Sequence, residues 1–352
     1  MRYLMVSTFP PTRCGIGAYA EQNVARLRAD GHIVDVVSPD GQGNVDFAWD
    51  LQGGGKLLQL LSLLPYYDKV ILQYHWAFFY RDPFRRESRW ETLRTTLCFI
   101  LLFLRARKLE VVAHEIPYLR GKQGWLYKWK WKLAPRVVFH TAKECERFEQ
   151  HYGLRLNRSR VEFRGHDDVY YKFVEHNRQS ARQQLKLSSD GLIFLCIGFI
   201  QRHKGFHRAI RAFAEAALRS ADLFIVGSLR VEDAENQKYL AELQQLASEH
   251  ANIHLIASFV SNEDFDTWIA ASDCVVLPYS EIWSSAVLGR ARLIDRPSIV
   301  AAVGGLPDQA GERDIVFGSD QELVGAFRSF AERYGKSSAG SHPNRKPESC
   351  AP

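Results

Sequence analysis

The stretch EIWSSAVLGRARLIDRPSIVAAVGGLPDQ, residues 281–309, follows the apolar run Cys274-Val275-Val276-Leu277-Pro278. Glu281 stands at the end of that run, Ser284 and Ser285 open an apolar helical stretch, and a β-branched strand then leads into Gly304-Gly305. A strand-helix-strand unit of this kind predicts a carboxylate and unpaired helix-terminal N–H groups at one crevice beyond the strand ends. Such a crevice suits a phosphate lying beside hydroxyls.

The same alternation extends on both sides. Upstream, strands are expected at Leu192–Gly198, Leu223–Gly227, Ile253–Ile256 and Cys274–Leu277, with helices at Gly205–Arg219 and Gln237–Glu249. The first half opens with a strand at Arg2–Phe9, a helix at Gly15–Ala29 and a strand at His32–Ser38. Short β-branched strands ending in a polar residue follow at Lys69–Tyr74, Val111–His114 and Val137–Thr141, with helices at Leu93–Arg107 and Trp125–Leu133. The pattern predicts an α/β protein of two doubly wound halves. The first covers residues 1–174 and the second 175–319, with a closing helix at 320–335 and a polar, disordered tail at 336–352. The polar stretch 175–190 reads as the hinge.

At 352 residues and 46% hydrophobic content, the chain is long enough to bury two cores, and its net charge of +6 suits an anionic partner. Six dispersed cysteines with no C-x-x-C pair predict buried free thiols and a reducing, cytoplasmic setting. The apolar strand pattern from Arg2 onward lacks the layout of a signal peptide, and none is expected. The apolar run Leu97–Leu104 is less than half of the roughly 20 residues that span a bilayer.

Gly198-Phe199-Ile200-Gln201-Arg202-His203-Lys204-Gly205 follows a strand and opens a helix, where backbone N–H groups and two cations favour an anion. This loop and the Glu281 segment resemble the donor-sugar site of retaining glycosyltransferases of family 4, and the resemblance covers roughly residues 1–330. It implies the GT-B fold, two Rossmann-like domains facing a cleft. Gly198, Lys204 and Gly205 match the family's Gly-Arg-x-x-x-x-Lys-Gly loop, whose cations hold the donor phosphates. Phe199 takes the usual arginine position, so that role passes to Arg202. Glu281 resembles the first glutamate of the E-x7-E motif, which binds sugar hydroxyls. Where the second glutamate should hold the nucleotide ribose this chain has Gly289, followed by Arg290. Arg290 either binds a phosphate or pairs with a neighbouring acid. Ser284 and Ser285 are the candidate N-caps beside the diphosphate.

His114, in Val-Val-Ala-His-Glu-Ile-Pro, resembles the family's active-site histidine, which implies a hydrogen bond to the donor sugar near the reacting carbon. Taken without that resemblance, a strand-end histidine is as readily structural. Glu115 is its partner or an acid facing the acceptor. His75 and Trp76 end another strand on the same rim and are acceptor-side candidates, with core packing the other reading for Trp76. Gly15 and Gly17 lie in a glycine loop similar to the family's first-domain loop, which approaches the donor phosphate or acceptor. Gly15-x-Gly17-x-x-Ala20 also fits a loose dinucleotide fingerprint, with Asp35 or Asp40 as the ribose acid.

Residues 120–136 hold six basic residues, no acid and three tryptophans. On a helix, Trp125, Leu126, Trp129 and Leu133 form a stripe expected to pack inward. Tyr127 and Trp131, flanked by Lys128, Lys130 and Lys132, would then face an anionic membrane surface or simply solvent. No nucleic-acid-recognition fold accompanies the run.

Together these features predict a cytoplasmic glycosyltransferase, peripheral at the inner face of the membrane. It would move a hexose from a UDP- or GDP-type sugar to a saccharide or lipid-linked acceptor. No Asp-x-Asp motif stands at a strand end, and neither metal nor cofactor is expected. The alternatives are an NAD(P)-dependent oxidoreductase built on the Gly15 loop, or a lapsed nucleotide-sugar-binding protein.

Overall fold

The computed structural model describes residues 1–39, 43–81, 89–114 and 123–335. The expected tail at 336–352, Glu115, Asp40 and Cys350 lie outside these residues. The chain divides into two compact units. The first comprises Met1–Tyr171 and Trp283–Gly289; the second comprises Lys172–Ile282 and the described residues from Arg290 onward.

The first unit is built on seven parallel strands, β1 (Arg2–Val6), β2 (Ile33–Ser38), β3 (Phe47–Ala48), β4 (Lys69–Tyr74), β5 (Leu109–Ala113), β6 (Val137–Phe139) and β7 (Val161–Phe163). Their order is β3-β2-β1-β4-β5-β6-β7. Successive side chains of a strand point to opposite faces, so β1 contributes to two cores. Tyr3 and Met5 pack with Ala20 and Val24 of α1 (Gly15–Ala29). Leu4 and Val6 belong to the larger core formed with α2 (Gly55–Leu63), α3 (Arg89–Arg105), α4 (Gln123–Leu133) and α5 (Ala142–Tyr152). Thr141 and Glu144 start α5 with a reciprocal capping box, and Gly153 ends it in the left-handed conformation.

The second unit repeats the plan with β8 (Leu192–Ile197), β9 (Ala221–Gly227), β10 (Ile253–Ala257), β11 (Cys274–Leu277), β12 (Ser298–Ala301) and β13 (Ile315–Phe317), all parallel. The order is β10-β9-β8-β11-β12-β13. Its helices are α6 (Arg178–Gln184), α7 (Phe206–Ala216), α8 (Ala234–Ser248), α9 (Asn262–Ala271), α11 (Leu306–Gln309) and α12 (Asp320–Tyr334), while α10 (Ala286–Leu293) passes from the first unit to the second after Gly289. Phe194 of β8 packs edge-on against Phe213, Phe327 and Phe330, which ties α7 and α12 to one face. In both sheets the order reverses beside the first strand. Loops leaving β1 and β4, and those leaving β8 and β11, therefore flank the point where open α/β sheets bind ligands.

Two expectations are corrected. The stretch 175–190 is no bare hinge: it contains α6, whose buried Arg182 donates to Asp273 at 2.6 Å and to the Ala271 carbonyl at 2.9 Å. The polar composition reflects an ion-paired helix, with Arg178 also on Asp273 at 2.6 Å. The faces of α4 are inverted as well. Tyr127, Lys130 and Trp131 are buried, while Trp125 and Trp129 are exposed. Lys130 enters the core because Tyr74 and Tyr80 hydroxyls accept its Nζ protons at 2.8 and 2.9 Å and aromatic faces surround it, with Tyr127 at 3.8 Å and Phe99 at 4.5 Å. No helix of the described residues is long and apolar enough to cross a membrane. Five cysteines, Cys14, Cys98, Cys145, Cys196 and Cys274, are buried free thiols.

Candidate functional site

Four neighbouring strands of the first unit each end next to a histidine. His75 follows β4, His114 follows β5, His140 follows β6, and His166 lies three residues past β7. Parallel register brings these ends to one rim, where Tyr19 of α1 meets three of the rings. Its centroid lies 5.1 Å from His114, 5.3 Å from His140 and 5.7 Å from His166. His140 and His166 stack at 3.8 Å and 24°.

Hydrogen bonds fix how these rings present themselves. His114 Nε2 lies 2.6 Å from Gln73 Oε1, so Nε2 carries the proton and Nδ1 is the acceptor of the neutral ring. His140 Nδ1 donates to the Arg164 carbonyl at 3.0 Å, leaving Nε2 buried without a partner among the described residues. His166 bonds Ser284 Oγ through Nε2 at 3.1 Å and Tyr170 Oη through Nδ1 at 3.3 Å. Burial, then the neighbouring histidines, holds the pKa of His114 and His166 well below the ordinary value; burial also lowers that of His140. His114, His140 and His166 thus form a set of neutral hydrogen-bonding groups. Ser7 Oγ and Thr8 Oγ1 beyond β1, and Ser38 Oγ at the end of β2, are also buried without partners among the described residues. Unsatisfied polar atoms at strand ends suit a ligand rich in hydroxyls.

His75 Nδ1 accepts the Ala77 N–H at 3.2 Å, and its ring stacks on half-buried Trp76 with centroids 5.8 Å apart. Gly15 begins α1, and Gly17 lies in its first turn beside Thr8 of the loop after β1. Eight residues separate Val6 from Gly15, a longer connection than the tight dinucleotide-binding turn. Asp35, the ribose acid of that alternative, is held by Arg2 at 2.7 Å and Tyr67 Oη at 2.6 Å. Ser285 caps α10 by accepting the Leu288 N–H at 3.3 Å, while Ser284 is the partner of His166.

In the second unit, the loops after β8 and β11 are locked together. Gly205 has φ 66°, and a Cβ there would lie 2.0 Å from the Pro278 carbonyl oxygen. Arg208 donates to the carbonyls of Pro278 at 2.9 Å and Tyr279 at 3.1 Å, and Ser280 N–H donates to the His203 carbonyl at 2.9 Å. Gly304, at φ 57°, closes on the far side, where a Cβ would meet the Ile282 oxygen at 1.7 Å. Gly198, at φ 127°, turns its carbonyl toward Gly227, leaving no room for a side chain there.

The cations of this loop have separate fates. Arg202 pairs with Glu242 at 2.5 Å and lies over Tyr239 at 4.7 Å. Lys204 holds its ammonium 4.2 Å above the Tyr279 ring and has no carboxylate partner among the described residues. Glu281 is exposed and likewise unpaired among them. Arg290 departs from the phosphate-binding alternative: it is buried, with Nε 2.8 Å from Asp266 Oδ1 and its remaining nitrogens on Asp266 and Asn262. Among the described residues, no group of three or more His, Cys, Asp or Glu side chains could hold a metal ion.

Sequence reasoning missed Tyr19, His140 and His166. His140 carries the signal that marked His75 and His114, a polar residue ending an apolar strand; His166 follows the short β7, which the apolar pattern does not reveal.

These two sheets, each reversing at its first strand, define a protein of the GT-B fold. Residues 177–339 of the chain match the family described as Glycosyl transferases group 1. Anabaena Alr3699/HepE, solved with UDP and glucose, superposes with a TM-score of 0.66 over 96% of this chain and 92% of its own, at 16% identity. WaaG, a glycosyltransferase involved in lipopolysaccharide biosynthesis, superposes with a TM-score of 0.58 over 96% and 92%, at 17% identity. At these identities the likeness is one of fold. The D-inositol 3-phosphate glycosyltransferase of Streptomyces griseus is 29% identical over 193 residues, 49% of this chain and 40% of that protein. That of Corynebacterium aurimucosum is 27% identical over 190 residues, 51% and 44%. The chain therefore spans less than half the length of these curated relatives.

Proposed function

We propose that the protein is a retaining glycosyltransferase of glycan biosynthesis, acting in the cytoplasm on a saccharide or lipid-linked acceptor. Its donor would be a hexose nucleoside diphosphate, with UDP ahead of GDP because the HepE neighbour is solved with UDP and with UDP-glucose. The observation that carries this reading is Lys204, a cation without a carboxylate partner among the described residues, fixed over Tyr279 where the β8 turn enters α7. A diphosphate supplies the charge that this turn lacks. As the bond between the sugar C1 and the diphosphate oxygen breaks, Lys204 stabilises the negative charge growing on the leaving group without a metal. The acceptor oxygen bonds to C1 on the face that the diphosphate leaves, and the departing phosphate takes the acceptor proton. Glu281 accepts hydrogen bonds from the hexose hydroxyls, and His114 offers Nδ1 to another.

Calorimetry with UDP, GDP and ADP tests the donor reading. UDP should bind, and Lys204→Ala should weaken it by about 1.5–3 kcal/mol, the worth of a charge-assisted contact. Equal affinity of wild type and variant would remove Lys204 from the site. Binding without turnover across a panel of UDP-hexoses and acceptors would favour the lapsed nucleotide-sugar-binding protein.

A further inference from the structure

The helices α3 and α4 pack on the same face of the first sheet, since Phe99, Leu102 and Phe103 of α3 and Tyr127 and Trp131 of α4 share one core. Their opposite sides therefore face the same way, and both are apolar. Trp90, Leu97, Leu101 and Leu104 recur at intervals of seven, four and three, which places them on one stripe of α3. Trp125 and Trp129, one turn apart on α4, sit with ring centroids at 5.7 Å. These six side chains are 45–81% exposed, and they make up nearly half of the large exposed hydrophobics of the described residues. Scattered apolar side chains need no explanation, whereas two adjacent helices turning theirs the same way mark an interaction surface.

Charge selects the occupant. Arg105, Arg107 and Lys132 are exposed at the ends of these helices, and Lys132 Nζ lies 4.2 Å over the Trp129 ring. The sequence has no acid from 92 to 109 and none from 116 to 143. Tryptophan beside lysine, an apolar stripe and a rim that is basic from residue 92 onward, past Glu91 in the first turn of α3, suit the headgroup boundary of an anionic bilayer. Neither helix can cross the bilayer, so they would lie along it.

We propose that the outward faces of α3 and α4 form a docking surface for an anionic lipid membrane. The surface is independent of the donor reading, because none of its residues belongs to the candidate site. Flotation with vesicles of equal parts phosphatidylglycerol and phosphatidylcholine, and with phosphatidylcholine alone, tests it. Wild type should float with the anionic vesicles, less so at high salt, and brominated acyl chains should quench its tryptophan fluorescence. Lys128→Glu with Lys132→Glu should weaken binding by roughly tenfold or more. Leu101→Ser with Trp129→Ser should weaken it at low salt also, with thermal stability and UDP affinity unchanged. Wild type that stays unbound, or variants that float as well as wild type, would overturn the proposal. A dimer that the Leu101→Ser/Trp129→Ser variant dissolves would assign the face to a second copy of the chain instead.

Discussion

The imidazoles of His140 and His166 stack face to face with centroids 3.8 Å apart, and each has a fixed second contact, His140 to the Arg164 carbonyl and His166 to Ser284 Oγ. Two cations could not share that spacing, and burial already disfavours the charged forms. A histidine whose folded pKa is depressed binds its proton more readily in the unfolded chain. Its contribution to stability is therefore present above about pH 6.5 and is lost as the pH falls toward the folded value. Thermal unfolding should move to lower temperature between about pH 7 and pH 5. His166→Phe, which keeps a ring against His140 but cannot ionise, should give a shallower slope. An identical slope in the variant would show that other groups govern the acid limb.

Tyrosine hydroxyls and aromatic faces accommodate Lys130 in the core, but burial makes its charge a cost that the space it fills must offset. Its Nζ meets two tyrosine hydroxyls and aromatic faces, and burial holds its pKa well below the usual lysine range. A base depressed in the folded state costs stability at every pH below its unfolded value of about 10.4. Lys130→Met should thus match or raise the melting temperature at neutral pH. Tyr74 and Tyr127 keep their mutual hydrogen bond, and Tyr80 keeps Thr96. Lys130→Ala should lose about 2–5 kcal/mol to the cavity. A methionine variant destabilised as much as the alanine one would show that the ammonium is required.

The inverted faces of α4 mark the limit of what pattern alone can decide. Two arcs of that helix carry tryptophan, one also carries lysines, and hydrophobic periodicity assigns the lysine-poor arc to the core. What reverses the choice is a set of tyrosines from β4 and the segment beyond it, distant in sequence, that accept a buried ammonium. Strong runs such as Lys69–Tyr74, Cys274–Leu277 and Asp320–Tyr334 coincide with the bounds read from sequence. Short or polar elements such as β7, α6 and α9 were illegible because tertiary contacts, Arg182 on Asp273 among them, hold them in place. Of the rim, His75 and His114 were read from the sequence, His140 carries the same strand-end signal but was missed, and His166, three residues past β7, was not legible.

Arg290 and Asp266 are both buried, and the guanidinium also bonds Asn262. Removing one member leaves the other charge uncompensated, so Arg290→Met should cost about 3–5 kcal/mol in chemical denaturation. UDP affinity of the folded fraction should stay at the wild-type level. A loss of affinity exceeding the loss attributable to unfolding would return Arg290 to the donor-binding groups.

Glu281 and His114 differ in what they can offer a sugar. Exposed Glu281 is held in place by a loop that Gly205 and Gly304 pin on either side, and its carboxylate only accepts hydrogen bonds. His114, neutral and oriented by Gln73, presents one fixed acceptor nitrogen. If both orient the hexose and neither holds the nucleotide, then Glu281→Gln and His114→Ala should each lower kcat by about 10–100-fold, the loss of one or two strong hydrogen bonds in the transition state. UDP affinity should change by less than about twofold, in contrast to Lys204→Ala. Steady-state rates with a UDP-hexose, alongside UDP calorimetry on the same preparations, separate the two effects. Wild-type turnover in both variants would sink the assignment, and a matched loss of UDP affinity would move the residue concerned to the nucleotide.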